Sequence, residues 1–293
     1  RWVVQDRGGV GGDIKVAGAT VARVTNIPAG GSKRFVVVAN GNSLLPALSV
    51  GTTNYSFLDG TTNVFTLEDQ KTDAAFLDAN GLIMTGEASG RVFITSNVTS
   101  VTVPIKRIVS KVVLNQITIS PAAGEDITKF TIGNVSIQRA ASQSNFSTGT
   151  PKTSAFLWGG IAGNNTTTAK TYLKDALTIS SYVADQVMNF GNFFYVLPNT
   201  DADNGTMLPL ECTYTYDSSP QTIYFPVKVN YKSGSTNTDG SYISRNKIYN
   251  LNLTIENLSL GTGDPDTPAT FAAMEVTVTP MDWDTVITQD EVL

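Results

Sequence analysis

The chain has 293 residues, 41% of them hydrophobic and 25 of them glycine, with charged side chains at only 15%. At roughly 100–200 residues per domain this is enough for about two globular units with their own cores, and it is too apolar for a disordered chain. Twenty basic against 25 acidic side chains give a formal net charge of −5, and no basic run exceeds Lys33-Arg34 or Lys106-Arg107, which excludes the basic stripe that nucleic-acid binding needs. With no histidine and one cysteine, the sequence excludes a Ser-His-Asp or Cys-His nucleophile, an imidazole proton shuttle, a histidine zinc site and an intrachain disulfide.

No apolar run reaches the roughly 18–20 residues that span a bilayer as a helix. The polar surface is carried by Thr, Ser, Asn and Gln, as in many extracytoplasmic β proteins. The dominant pattern is short alternating segments of Val, Ile, Thr and aromatics, punctuated by Gly, Asn, Asp and Pro. In chain order it predicts strands at Trp2 to Gln5, Thr20 to Val24, Arg34 to Ala39, Arg91 to Ile94, Val98 to Val103 and Arg107 to Ile119. Further strands are predicted at Phe130 to Gln138, Phe193 to Leu197, Leu210 to Tyr216, Gln221 to Val229, Lys247 to Ile255 and Met274 to Thr279. Asp217-Ser218-Ser219-Pro220 joins two of these as the clearest hairpin. Only Leu67 to Leu77 and Tyr172 to Asn189 have a pattern that could carry a short helix. Polar loops are expected at Gln143 to Thr153 and Asn199 to Gly205. The opening Arg1-Trp2-Val3-Val4-Gln5 reads as the interior of a strand, which leads us to expect further residues upstream. A boundary falls near Pro104 to Arg107, dividing the chain into 1–106 and 107–293. Irregular strand spacing without a fixed repeat predicts an all-β fold of two antiparallel β-sandwiches rather than a barrel or propeller.

The candidates for chemistry are thin. Gly8-Gly9-Val10-Gly11-Gly12, Ala29-Gly30-Gly31-Ser32 and Trp158-Gly159-Gly160 lack the spacing of a phosphate cradle and read as loops. Asp264-Pro265-Asp266 lacks the alternating oxygen ligands and closing Glu of a calcium loop and reads as a turn. Glu125 with Asp126, or Asp282 with Asp284, would have to face each other across a sugar to cleave a glycoside, and nothing in the sequence brings them there. Trp158 reads as an anchor under a loop before it reads as a sugar-stacking platform. Cys212, within an alternating strand, reads as a small buried core residue. The Asn-x-Ser/Thr triplets, such as those at Asn134 and Asn252, arise easily in a chain so rich in Asn and Thr. No catalytic, cofactor or metal residues are assigned, and the protein is expected not to be an enzyme.

The most informative segment is Met281-Asp282-Trp283-Asp284-Thr285-Val286-Ile287-Thr288-Gln289-Asp290-Glu291-Val292-Leu293, which follows a strand expected to end at Pro280. Alternation puts Met281, Trp283, Ile287 and Leu293 on one face and Asp282, Asp284, Thr288 and Asp290 on the other, an amphipathic strand. It would either dock on its own domain as an edge strand or insert into another copy of the protein.

Several segments carry a family resemblance. Phe35-Val36-Val37-Val38-Ala39-Asn40, Ile83-Met84-Thr85, Ile105-Lys106-Arg107-Ile108-Val109-Ser110-Lys111-Val112, Phe194-Tyr195-Val196-Leu197-Pro198-Asn199, Ser244-Arg245-Asn246-Lys247-Ile248-Tyr249 and the closing Glu275-Val276-Thr277-Val278 through Asp282-Trp283 resemble, in this order, the lipoprotein-derived fimbrial subunits of Bacteroidales, the type V pilins. The resemblance implies two tandem transthyretin-like β-sandwiches, exported as a lipoprotein precursor to the outer membrane and carried in a cell-surface fimbrium. It further implies an arginine-specific protease that removes a first strand, and a neighbouring subunit that fills the gap. Arg7 and Arg1 are the candidate processing sites, and Met281, Trp283, Ile287 and Leu293 the donor-strand anchors. The expected partners are other copies of the chain, related fimbrial subunits and the processing protease. No cofactor is expected. The expected role is a shaft subunit; the alternative is a tip or adhesin subunit that binds host protein or glycan.

Overall fold

The computed structural model describes residues 14–16, 20–22, 32–39, 64–67, 81–88, 92–93, 101, 103–145, 155–159, 169–179, 181–201, 203–230, 243–266 and 274–282. The predicted strand at 2–5 lies outside them, as do most of the predicted strand at 98–103 and most of the possible helix at 67–77. The described residues are strands, turns and short 3-10 segments, an all-β chain.

Before residue 110 the strands are short: β1 (Ile14–Val16), β2 (Thr20–Ala22), β3 (Ser32–Lys33), β4 (Val36–Ala39), β5 (Val64–Thr66), β6 (Met84–Glu87), β7 (Val92–Phe93) and β8 (Lys106–Arg107). β1 pairs with β2 and β3 with β7, while β4, β6 and β8 form a three-stranded antiparallel sheet. The predicted strand from Arg107 to Ile119 is in fact two. β8 belongs to the β4–β6–β8 sheet, and β9 (Ser110–Ile119) opens the next layer.

From there the strands lengthen: β10 (Phe130–Ser136), β11 (Ala140–Ala141), β12 (Gln143–Asn145), β13 (Phe156–Leu157), β14 (Lys174–Ala176), β15 (Val187–Asn189), β16 (Phe193–Val196), β17 (Met207–Tyr216), β18 (Ser219–Lys228), β19 (Lys247–Ile255) and β20 (Met274–Asp282). One sheet runs β15-β9-β19-β20, with β16 also on β9, and the other runs β14-β10-β17-β18. β9 and β19 are parallel, a pairing that no hairpin can supply, and β20 returns antiparallel along β19.

Alternation explains which side of each strand is buried. Tyr249, Leu251, Leu253 and Ile255 of β19 and Val112, Leu114, Ile117 and Ile119 of β9 are at most 1% exposed, whereas Ile248, Asn250, Asn252 and Thr254 are half-buried. In β9 the polar pair Asn115-Gln116 interrupts the period of two. The ladder shifts register there, against Leu251/Asn252. This bulge returns Ile117 and Ile119 to the core, and Asn115 Nδ2 donates to Asn252 Oδ1 at 2.7 Å. β10 has a similar shift at Ile132/Asn134, around Gly133. The facing sheet contributes Phe130, Ile132, Leu208, Leu210, Cys212, Tyr214, Ile223, Phe225 and Val227 to the same cluster. Cys212 is thus the core residue expected, and burial pushes its thiol well up.

The predicted hairpin is present as the turn Asp217-Ser218 between β17 and β18, with φ of 41° and 70°, the left-handed pair that matches strand twist. The segment Tyr172 to Asn189 is no helix. It opens with a 3-10 turn at Thr171–Leu173 and contains β14 and β15, which pair with β10 and β9. Sheet edges in need of hydrogen bonds override a weak helical pattern already interrupted by Thr178, Ile179 and Val183. The expected loop from Gln143 begins instead as β12, paired with β5. That pairing is extended by Leu67 N–H donating to Ser142 O at 2.9 Å, so strands from before and after residue 110 are joined directly.

Gly159 marks where β13's extension crosses beneath the Thr171–Leu173 turn: its N–H donates to Ile137 O at 2.8 Å, and a Cβ there would lie 2.1 Å from Leu173 O and 2.8 Å from Ser136 Cβ. Gly159→Ala is expected to destabilise the fold by about 2 kcal/mol or more through overpacking against backbone, measured by chemical denaturation.

Candidate functional site

The segment that the sequence marks for assembly begins within β20. All nine residues of β20 pair with β19, from Met274 opposite Ile255 to Asp282 opposite Lys247. Val276, Val278 and Pro280 stand opposite Leu253, Leu251 and Tyr249, all core residues. β20 is at the edge of its sheet among the described residues, which suits Pro280, since proline has no N–H to give to a ladder. The strand does not stop at Pro280 as expected. It runs on to Asp282, because the ladder with β19 continues to Lys247, and Met281 lies opposite Ile248. Of the expected donor anchors, only Met281 is therefore among the described residues, on a strand paired within its own sheet. Trp283, Ile287 and Leu293, and the candidate processing residues Arg1 and Arg7, lie outside them.

β20 ends at a junction. β9 and β19 both start there, at Ser110 and Lys247, beside the β6–β8 pair. The turn ahead of β19 is held from both sides. Ser110 Oγ donates to Ser244 O, Ser244 N–H donates to Tyr249 Oη at 2.8 Å, and Asn246 N–H, at φ 60°, donates to Val109 O at 2.9 Å. Asn246 Oδ1 accepts from Arg107 N–H at 3.2 Å and from the Arg107 guanidinium at 3.4 Å.

At the centre is Arg245. Its Nη2 donates to Lys106 O at 2.6 Å, Thr85 Oγ1 at 2.7 Å and Thr85 O at 3.3 Å, while Nε donates to Arg107 O at 3.1 Å. Among the described residues it makes no ion pair with a carboxylate. Its positive charge is met by oxygen dipoles, mostly backbone carbonyls, and burial brings the guanidinium down to about 10. Nearby, Lys111 sits 4.0 Å from the centroid of the Phe193 ring, and burial lowers its ammonium pKa.

Most of the segments that carry the family resemblance converge here. Val38 pairs with Thr85, Ile83 O accepts Ile108 N–H at 3.1 Å, Tyr195 pairs with Lys111, and Arg245 reaches Thr85, Lys106 and Arg107. Sequence reasoning predicted strands at 34–39, 107–119, 193–197 and 247–255, but it missed both the strand β6 and Arg245 as their common centre. The available signal was an arginine between Ser and Asn immediately before a strand, in a chain with few charges.

Glu125 and Asp126 are each engaged by local hydrogen bonds, and Asp284, of the second carboxylate pair, lies outside the described residues. Glu125 accepts from Leu258 N–H at 2.8 Å, Ser259 N–H at 2.9 Å, Ser259 Oγ at 2.7 Å and Ala122 N–H at 3.2 Å. It ties the loop after β9 to the 3-10 turn after β19. Burial pushes the Glu125 carboxyl up, but these hydrogen bonds outweigh it and leave the pKa lowered. Asp126 caps the next turn through Thr128 N–H at 3.0 Å. Trp158 is half-buried, edge-on to Phe156 with ring centroids 6.3 Å apart, which fits an anchor. Asp264 accepts from Asp266 N–H at 2.9 Å, closing a turn. Burial raises the Asp266 carboxyl against the opposing pull of Arg139. Among the described residues no group of three or more His, Cys, Asp or Glu side chains could hold a metal ion, and no helix is long and apolar enough to cross a membrane.

Comparison with known proteins defines the class. Residues 123–283, more than half of the chain, match the family described as FimA-like major fimbrial subunit protein, C-terminal domain. The chain belongs to that family, and the resemblance to type V pilins is borne out. Its fold resembles a proposed cell adhesion protein from Bacteroides eggerthii, at 22% identity over 90% of this chain and 81% of that one, with a TM-score of 0.67. It also resembles a fimbrilin from Porphyromonas gingivalis, at 18% identity over 86% and 81% of the two chains with a TM-score of 0.59. A third likeness is to a proposed cell adhesion protein from Parabacteroides distasonis, at 18% identity over 92% and 80% with a TM-score of 0.60. Among curated proteins none matches significantly.

Glu125→Ala is expected to cost about 1–3 kcal/mol of stability at pH 7, since it leaves several N–H and O–H donors without their charged acceptor. The folded-state pKa lies below the unfolded value, so this contribution is complete above the ordinary carboxylate pKa and disappears as the pH falls through the folded value. Denaturation of wild type and variant across pH 2–7 checks this: the difference in stability should close on the acid side.

Proposed function

We propose that this fimbrial subunit is a structural shaft subunit of a cell-surface fimbrium, built from two tandem transthyretin-like sandwiches, 1–106 and 107–293. In this reading it is exported as an outer-membrane lipoprotein precursor. An arginine-specific protease removes a first strand, at Arg7 or Arg1, and residues 281–293 of one copy fill the vacated position in the next. The observation that carries the reading is the edge strand β20. It returns along β19 to the junction, so β20 brings the chain, at Asp282, to the end of the sandwich from which β9 and β19 start. Met281, within the paired stretch, would need to unzip its contact with β19 to serve as an anchor, so Trp283, Ile287 and Leu293 carry most of the proposed insertion.

Strand donation regains two kinds of interaction at once, core burial of about 1.5–3 kcal/mol per large apolar side chain and net ladder hydrogen bonds of about 0.5–1.5 kcal/mol each. Head-to-tail donation is a heterologous contact, which propagates as a filament when its rotation does not close.

Deleting residues 283–293, which leaves β20 intact, is expected to preserve the thermal transition of the monomer and to abolish filaments seen by electron microscopy after trypsin treatment. Filaments as abundant as those of the full chain would refute donation by this segment. Arg7→Ala is expected to block maturation if Arg7 is the cut site; unchanged processing would assign the cut to Arg1 or upstream.

A further inference from the structure

The two basic pairs of the chain are the bonds that a protease cutting after Lys or Arg would favour, and one of them lies in the junction. Such a protease needs three things from its substrate: the basic side chain in its specificity pocket, an extended local backbone, and a scissile carbonyl free to enter the oxyanion hole. Lys106 presents an exposed side chain, and the segment is extended. At Lys106 the missing requirement is the carbonyl, and at Arg107 the side chain is buried as well.

We propose that Arg245 guards a latent cleavage site at Lys106-Arg107, by holding the carbonyl oxygens of both scissile bonds. The Lys106–Arg107 bond has its oxygen 2.6 Å from Arg245 Nη2, and the Arg107–Ile108 bond has its oxygen 3.1 Å from Arg245 Nε. The nitrogens are held as well: Arg107 N–H donates to Asn246 Oδ1 at 3.2 Å and Ile108 N–H to Ile83 O at 3.1 Å. Arg107 is 5% exposed, and Ile108 and Val109 are fully buried, so a protease has no room for the residues after the cut. Thr85 aligns the guard, because its hydroxyl accepts from the same Nη2 that holds Lys106 O. Hydrolysis would add one water across the C–N bond, leaving a carboxylate on Lys106 or Arg107 and an α-amino group on the residue that follows. The charge on Arg245 strengthens each of these bonds, and the absence of a competing carboxylate among the described residues leaves its donors directed at the carbonyls.

The guard does not depend on strand donation. Its biological consequence rests on the reading that an arginine-specific protease matures the chain: Arg245 then helps to close the Arg107–Ile108 bond to that protease. The same residue also ties β6 and β8 to the sandwich, so opening the guard and loosening the junction are one event.

The test is native trypsin digestion of the full chain, followed over time by mass spectrometry of the new ends at 106/107 and 107/108. The summed cleavage after Lys and Arg residues outside the junction serves as the internal clock. In the wild type these ends should appear late. Arg245→Ala should accelerate cleavage there at least about tenfold, in line with the loss of hydrogen bonds from a charged donor, with the internal clock unchanged. Thr85→Val, which removes one neutral acceptor, should give a smaller rise of about threefold. Arg245→Lys, with a charge but no fork, should fall between Arg245→Ala and wild type. Early cleavage at this pair in the wild type would overturn the proposal. So would an Arg245→Ala protein that is cut there no faster. Should Arg245→Ala accelerate the clock equally through general unfolding, Thr85→Val and Arg245→Lys decide: wild-type rates at the junction in both would overturn the guard, and a selective rise in either would sustain it.

Discussion

The parallel pairing of β9 with β19 is the constraint from which the rest of the architecture follows. Parallel neighbours cannot be joined by a hairpin, so the chain between them must build a complete second layer before it returns. That layer is the β14-β10-β17-β18 sheet, whose inward side chains meet those of β9 and β19. Because β9 and β19 run the same way, both begin at the junction with the β4–β6–β8 sheet, and β20, antiparallel to β19, comes back to it. One ladder thus brings together the entry of the sandwich, the turn bearing Arg245 and the exit of the closing strand.

At that convergence a cation is held by oxygen dipoles. A half-buried guanidinium is costly unless its donors are satisfied, and here Lys106, Arg107 and Thr85 supply the acceptors. The arrangement is directional. A guanidinium has a planar fork, which restricts how β6 and β8 can sit against the β19 turn while still satisfying it. β12 paired with β5 makes a second connection of the same kind, from backbone alone. In the proposed filament, such joints would restrain motion between the parts of a subunit that the polymer would otherwise multiply.

The acidic residues show the same preference for structure over chemistry. Glu125 and Asp126 accept hydrogen bonds from backbone N–H groups at the starts of turns, and Glu211 bridges strands by accepting from Asn134 Nδ2 and Lys174 Nζ, each at 3.0 Å. Glu125 and Asp126, so engaged, are shifted below the ordinary carboxylate range rather than poised near neutrality as an acid or base. Sparse charges are placed where loops and edges need acceptors.

The alternation of Val, Ile and aromatics made the long strands legible in the sequence, because a side-chain period of two is a local property that a buried face imposes directly. β19 matches its expected span residue for residue, and the Asp217-Ser218 turn was readable from its residue types. The segment from Tyr172 to Asn189 was misread because its pairing partners, β10 and β9, are distant in sequence, and edge hydrogen bonds outweighed local pattern. The extension of β20 to Asp282 was missed for the same reason: Lys247 sets that limit, and alternation alone cannot see it. The amino-acid order by itself determined an all-β chain without histidine chemistry, and which faces its strands would bury. Tertiary structure alone decided that β9 and β19 lie parallel, that Arg245 meets the carbonyls of Lys106 and Arg107, and where β20 delivers the chain. Those outcomes depend on groups satisfying one another across tens to more than a hundred residues, and no local pattern encodes such a partner.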